Sequence, residues 1–239
     1  MTTPAATHDE PHAKGIAQRL NWLRAGVLGA NDGIVSVAAV VVGVAGATQD
    51  LGPLVLAGVA AAVGGAISMA LGEYVSVSSQ RDTERALIAK EKRELRELPE
   101  EELEELVGLY RAKGLSEPTA RRVAEELTAH DALAAHLDAE LNIDQDDVVS
   151  PWYAAFASAI AFTLGAVLPM AAILLPPAGW RVPVTFVAVL VALAATGAVA
   201  AHIGGASRWR AVIRTVIGGA LALAATFGIG SLLGTTGIR

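Results

Sequence analysis

PLVLAGVAAAVGGAISMALGEYVSVSSQRDTERALIAKEKREL (residues 53–95) starts as a membrane span and ends as a charged helix. From Pro53 to about Val77 it is apolar or small, with one acid, Glu73. About 20 apolar residues in a helix cross ~30 Å of hydrocarbon. A run this long satisfies its backbone internally as a helix rather than as a barrel strand. No proline follows Pro53 until Pro99, so the helix is expected to leave the membrane and continue through SSQRDTERALIAKEKREL.

Four further segments have the same character: about Leu23–Ala47, Trp152–Leu175 before Pro176–Pro177, Val182–Ala201 and Ala211–Leu233. The expected fold is all-α, a polytopic membrane protein with five transmembrane helices and a three-helix cytoplasmic insert between helices two and three. In numbers, 1–20 reads as a mobile cytoplasmic tail and 21–78 as helices one and two. The insert takes 79–149 and helices three to five take 150–239. The composition agrees: 53% of the 239 residues are hydrophobic and the mean hydropathy is +0.48. The net charge of −6 hides a segregation. Nineteen of the 24 acids and ten of the 18 basic residues fall between Arg81 and Asp147.

Lys14, Arg19 and Arg24 lie before or at the start of helix one, and Arg208, Arg210 and Arg214 mark the turn between helices four and five. With the ten basic residues of the insert, they place the N-terminus and the insert on the cytoplasmic side. Only Arg181 and Arg239 fall opposite. The polar, acid-containing N-terminus lacks the pattern of a secretory signal. His8 and His12 there read as tail residues. The absence of cysteine excludes thiolate metal sites and disulfides. An acidic charge-rich block without interleaved basic and aromatic residues does not favour nucleic acid, and none is expected as a partner.

Asp32 and Glu73 are the only acids inside the apolar segments. A carboxylate in hydrocarbon costs about 2.5–3.5 kcal/mol on insertion scales, so it normally faces a bundle interior or a wet pathway. Asp32, in GANDG, has no basic residue within a helical turn, and its flanking glycines suggest backbone oxygens open to an ion. Met69 offers a thioether, though taken alone it reads as core. Glu73, one turn later on the same face, reads equally as an interfacial acid reaching water.

In the insert, Pro99 breaks the first helix or opens a second, Gly114 ends that second helix, and Ser116 with Glu117 and Pro118 opens a third reaching about Leu141. Leu103, Leu106, Val107 and Tyr110 recur at helical spacing as a packing face. Glu91 and Glu94, Glu102 and Glu105, and His136 and Glu140 each share one helical face. If these faces turn inward, carboxylates and one imidazole converge as a donor set for Fe²⁺, Mn²⁺ or Zn²⁺. The spacing by itself favours solvated faces, with glutamates alternating against Lys90, Lys92, Arg93 and Arg96. His130, four after Glu126, and His202, beside Gly204–Gly205, read as surface and interfacial residues. No Ser–His–Asp set, phosphate loop, HExxH or Glu-x-x-His pair is apparent, so an enzyme, including a membrane-tethered ferroxidase, is not expected. Small residues in helices two and five fit close helix approach in lipid.

LRAGVLGANDGIVS, GAISMALGEYVSVSSQRD, ASAIAFTLGAVLPMAA and RAVIRTVIGGALALAATFGIG together resemble the vacuolar iron transporter (VIT) family. The resemblance covers nearly everything after the tail. It implies a homodimer that exports Fe²⁺, often also Mn²⁺, from the cytosol in exchange for protons. The implied ion path maps onto Asp32 and Met69, and the implied metal-binding glutamates onto Glu91, Glu94, Glu102, Glu105 and Glu140. His136 stands where the family has methionine. Ala25 and Ala61 stand where some members carry acids, and Glu73 is a candidate substitute.

The expected function is therefore transport of Fe²⁺ and/or Mn²⁺ out of the cytosol by proton antiport. Metal would collect on the insert and pass Glu73 to Met69 and Asp32, where metal and proton alternate. Fe²⁺ or Mn²⁺ is then the transported and regulatory ion, with no permanently bound cofactor. The expected partners are membrane lipid, a second copy, divalent ions and protons. The expected location is a bacterial inner membrane. The alternative is a membrane-anchored metal buffer or sensor without transport.

Overall fold

The computed structural model describes residues 14–143 and 150–236, with side chains from Gly26 onward. The first thirteen residues of the expected tail, with His8 and His12, lie outside the described residues, as does Arg239. So do the side chains of Lys14, Arg19 and Arg24. Among the described residues seven α-helices follow one another: α1 (Lys14–Ala47), α2 (Leu51–Glu97), α3 (Pro99–Ala112), α4 (Glu117–His136), α5 (Pro151–Leu174), α6 (Arg181–Ile203) and α7 (Arg208–Thr235). A π-helical turn, Leu137–Leu141, extends α4, and a short 3₁₀ turn, Ala178–Trp180, precedes α6. There is no strand among the described residues. α1 begins at Lys14, inside the stretch read as tail.

Five of these helices are long and apolar enough to cross a membrane: Gly26–Ala47 of α1, α2, α5, Ala178–Ile203 including α6, and α7. α2 is a single helix of 47 residues. At 1.5 Å per residue that is ~70 Å, more than twice the hydrocarbon thickness. The chain divides into two compact units, one of Met1–Glu73 with Ala155–Arg239 and one of Tyr74–Ala154.

In the first unit α1 is central and is buried on two stripes. Val37, Val41 and Ala45 pack with Leu54, Phe162, Ala166 and Ile173. Ile34, Ala38 and Val42 pack with Val189, Leu193 and Leu223. Helices in lipid gain little from hydrophobic exclusion, so small residues that admit close contact decide the packing. A methyl group at Gly33 would overlap the Phe162 carbonyl, one at Gly165 the Ala30 carbonyl, and one at Gly230 the Gly43 carbonyl. Within this one chain the glycines of α2 differ in what they meet. Gly58 and Gly65 abut Met170 and Phe162, whereas a Cβ at Gly64 or Gly72 would meet open space. Leu56, Ile67, Leu71, Leu164, Val187 and Leu221 point outward, as a lipid-facing surface requires. Arg181 is buried at the start of α6, donating to the Gln49 and Pro176 carbonyls.

In the second unit Leu106, Val107, Ala120, Ala124 and Ala135 form a small core, with Leu103 and Tyr110 against it. Pro99 occupies the first turn of α3 and Glu100, Glu101 and Glu102 follow, where the helix dipole favours negative charge. Gly114, at φ 100°, adopts the left-handed conformation that ends α3. Arg121 grips Glu104 with two bonds of 2.7 and 2.8 Å and ties α4 to α3. The third insert helix is not the uniform helix expected from Glu117 to about Leu141. Asp131 has extended backbone angles (φ −159°, ψ 95°), and its Oδ1 accepts the Ala134 N–H at 3.0 Å. That is the geometry of an N-cap, so a new helical segment starts there.

Candidate metal centre

α2, α3 and α4 each contribute one buried polar side chain to the core of the second unit. Glu91 and Glu102 are 3% and 6% exposed, and His136 is fully buried. One ligand atom from each lies within 4.8 Å of the other two. His136 Nδ1 is 3.0 Å from Glu91 Oε1 and 3.6 Å from Glu102 Oε2. Neither ring nitrogen of His136 has a hydrogen-bond partner, and neither does Glu91 Oε1. Orphaned buried polar atoms are costly. Gathered in one core, they form a donor set suited to a cation.

Local folding explains how they meet. Asp131 caps a short segment that carries His136 and then Glu140 inside the π-helical turn. The segment closes at Asn142, in the left-handed conformation (φ 51°), with the Ile143 N–H donating to the Leu137 carbonyl at 2.9 Å. π turns recur at functional sites.

The electrostatics follow from burial. Desolvation, and then the charges of Glu140, Glu102, Glu94 and Glu105, push the Glu91 carboxyl up to about 7. Desolvation raises Glu102 as well, with Glu105, Glu94 and Glu140 adding to it and Lys90 opposing. His136 is lowered by desolvation, against the pull of Glu140 and Glu105. The six insert residues singled out from the sequence are therefore electrostatic neighbours, in two layers. Glu91, Glu102 and His136 form the buried trio. Glu94 is half-buried and pairs with Lys90 at 2.7 Å, while Glu105 and Glu140 are exposed. His130 and Glu126 are exposed and join no such group. His202 is exposed too, with Nδ1 2.9 Å from the Arg208 guanidinium.

The expected path residues are more dispersed. Asp32 is half-buried in α1 and accepts a 2.7 Å hydrogen bond from Ser36 Oγ. Its neighbour Asn31 accepts from Thr196 of α6 at 3.2 Å. The flanking glycines do not leave the backbone open as expected. Gly29 and Gly33 press against the α5 backbone around Ser158 and Phe162. Met69 packs against the apolar cluster of Val37 and Phe162, and Glu73 is half-buried. Among the described residues neither Asp32 nor Glu73 belongs to a convergent ligand group.

The model of the VIT family matches residues 23–231. This chain belongs to the VIT family. A vacuolar iron transporter of Acanthamoeba castellanii is 44% identical over 218 residues, 91% of this chain and 80% of that protein. Vacuolar iron transporter homolog 1 of Arabidopsis thaliana is 36% identical over 228 residues, 95% and 90% of the two chains. Homolog 5 of Oryza sativa is 36% identical over 241 residues, covering 98% and 90%. The VIT match takes in α2 to α6 whole and most of α1 and α7, so the buried trio lies inside the matched length rather than in an appendage.

Proposed function

We propose that this VIT-family protein moves divalent metal, Fe²⁺ and/or Mn²⁺, out of the cytosol in exchange for protons. Two copies act together, and Gly64 and Gly72 of α2 leave room for a second copy's helix. The distribution of Lys and Arg supports a cytoplasmic N-terminus and insert. A bacterial inner membrane suits the Ala/Arg-rich usage. Metal gathers at Glu91, Glu102 and His136, with Glu94, Glu105 and Glu140 around them, which raises its concentration on the cytoplasmic side. Asp32, Met69 and Glu73 serve the passage across the membrane.

The observation that carries transport rather than simple binding is Asp32. It is an acid within an apolar helix, half-buried, hydrogen-bonded to the neutral Ser36 hydroxyl. An anchor has no use for a carboxylate there. Asp32 holds metal or a proton, never both, and that exclusion couples the two fluxes in opposite directions. The test is Fe²⁺ and Mn²⁺ uptake into pH-clamped liposomes. Wild type should respond to the pH gradient and Asp32→Asn should fall to the leak of protein-free vesicles. Undiminished, gradient-sensitive flux through Asp32→Asn would remove the coupling role.

A membrane-anchored metal buffer or sensor is the second reading, favoured because the buried trio is complete within the insert itself. It predicts saturable metal binding with no flux in the same liposomes.

A further inference from the structure

The trio carries more than a capacity for metal: its one nitrogen donor is the most deeply buried of the three. His136 has no exposed surface, Nδ1 faces Glu91 and Glu102, and neither ring nitrogen is hydrogen-bonded. The carboxylates around it are replaceable in number, since Glu94, Glu105 and Glu140 stand close by. The imidazole is not. Among the described residues the other histidines, His130 and His202, are exposed and outside the group.

Building on the metal-handling reading above, we propose that His136 is the specificity-determining residue of the insert site, biasing it toward imidazole-accepting ions such as Zn²⁺, Co²⁺ and Fe²⁺ and away from Mn²⁺. Carboxylate-only sites suit Mg²⁺, Ca²⁺ and Mn²⁺, whereas imidazole suits Zn²⁺, Fe²⁺ and their neighbours. A single buried nitrogen therefore separates the two classes. The site admits metal into the pathway with a preference that an all-glutamate cluster would not have.

Any nitrogen- and oxygen-containing site binds Zn²⁺ more tightly than Mn²⁺, so the order of affinities alone decides nothing. The change in their ratio on exchanging nitrogen for oxygen does. Chelator competition on the full-length protein in detergent, with Zn²⁺, Co²⁺ and Mn²⁺, compares wild type with His136→Gln. The expected result is a loss of roughly tenfold or more for Zn²⁺ and Co²⁺, with less than about threefold for Mn²⁺. A parallel loss for all three ions would show that His136 does not discriminate among them and overturn the proposal while leaving the metal-handling reading standing. Should His136→Gln fail to fold, ¹⁵N-histidine-labelled wild type discriminates equally well. Zn²⁺ should shift the His136 ring signals, assigned by replacing the other four histidines with glutamine, and Mg²⁺ should not. An unmoved His136 ring would overturn the proposal. Wild type without saturable binding of any of the three ions would instead sink the metal-handling reading on which it rests.

Discussion

His136 Nδ1 and Glu91 Oε1 lie 3.0 Å apart in the interior of the insert, yet the contact satisfies the hydrogen-bonding needs of neither atom. Burial acts on the two in opposite senses, raising the carboxyl to about 7 and lowering the imidazole. Both are thereby driven toward their neutral forms, so the pair is no conventional ion pair. A divalent cation resolves the conflict, because it binds the ionised carboxylate and the neutral imidazole together.

Metal affinity should accordingly depend on pH through Glu91. Below pH about 7 the carboxyl holds a proton that metal must displace, so the apparent affinity for Co²⁺ should fall about tenfold per pH unit and level off above 7. His136, lowered by burial, is already neutral over most of that range and adds little slope. Chelator competition between pH ~5.5 and ~8, with proton release followed in weak buffer, checks this. An affinity constant across that range would show that no proton leaves Glu91 when metal binds.

The same shift has a stability consequence without metal. The folded protein binds more protons at Glu91 than the unfolded chain between about 4.5 and 7, so stability should decline as pH rises through that window. Glu91→Gln removes the cost of the buried charge. At pH ~8 it should stabilise the metal-free insert by about 1–3 kcal/mol and reduce the stabilisation that Co²⁺ gives wild type. Thermal unfolding with and without Co²⁺ reads both effects. A destabilised metal-free variant would mean that the carboxylate is already well compensated.

Asp131 should matter to the site without touching it. Its Oδ1 caps the segment that presents His136 and Glu140, and loss of such a cap costs about 1 kcal/mol. Asp131→Ala should weaken Co²⁺ binding by about threefold to tenfold, and Asp131→Ser or Asp131→Asn should restore most of it. Recovery by the capping residues separates positioning from charge, since Ser and Asn cap without an anion. Equal losses in all three variants would assign the effect to charge.

The long helix of residues 53–95 and the breaks at Pro99, Gly114 and Ser116 were legible in the sequence, because apolar length and helix punctuation are local signals. The glutamate and histidine faces were legible as faces only. Periodicity says which residues share a side of one helix, but burial depends on which sides meet. Hence Glu91 and Glu102 could not be told from Glu94 and Glu105, although the first two are buried and the others are not. The break at Asp131 is hidden for a related reason. An aspartate within TAHDALAAH is a cap only when the backbone turns there, and tertiary packing decides that. The expectation of openness beside Asp32 fails because a missing Cβ serves close packing and exposure equally well.

Gly165 of α5 lies against the Ala30 carbonyl of α1, two residues before Asp32. A methyl group at Gly165 has nowhere to go but into that backbone, so Gly165→Ala must push α5 away from α1, at a cost of about 1–3 kcal/mol. Gly218 of α7 is the matching control, because a Cβ there would meet open space. Gly218→Ala should stay within about 0.5 kcal/mol of wild type, or gain slightly from helix propensity. Thermal unfolding in one detergent compares the pair. Since displacement of α5 also disturbs the surroundings of Asp32, Gly165→Ala should lower metal flux in liposomes and Gly218→Ala should not. Equal stability and equal flux in the two variants would mean that the α1–α5 contact is looser than the backbone positions require.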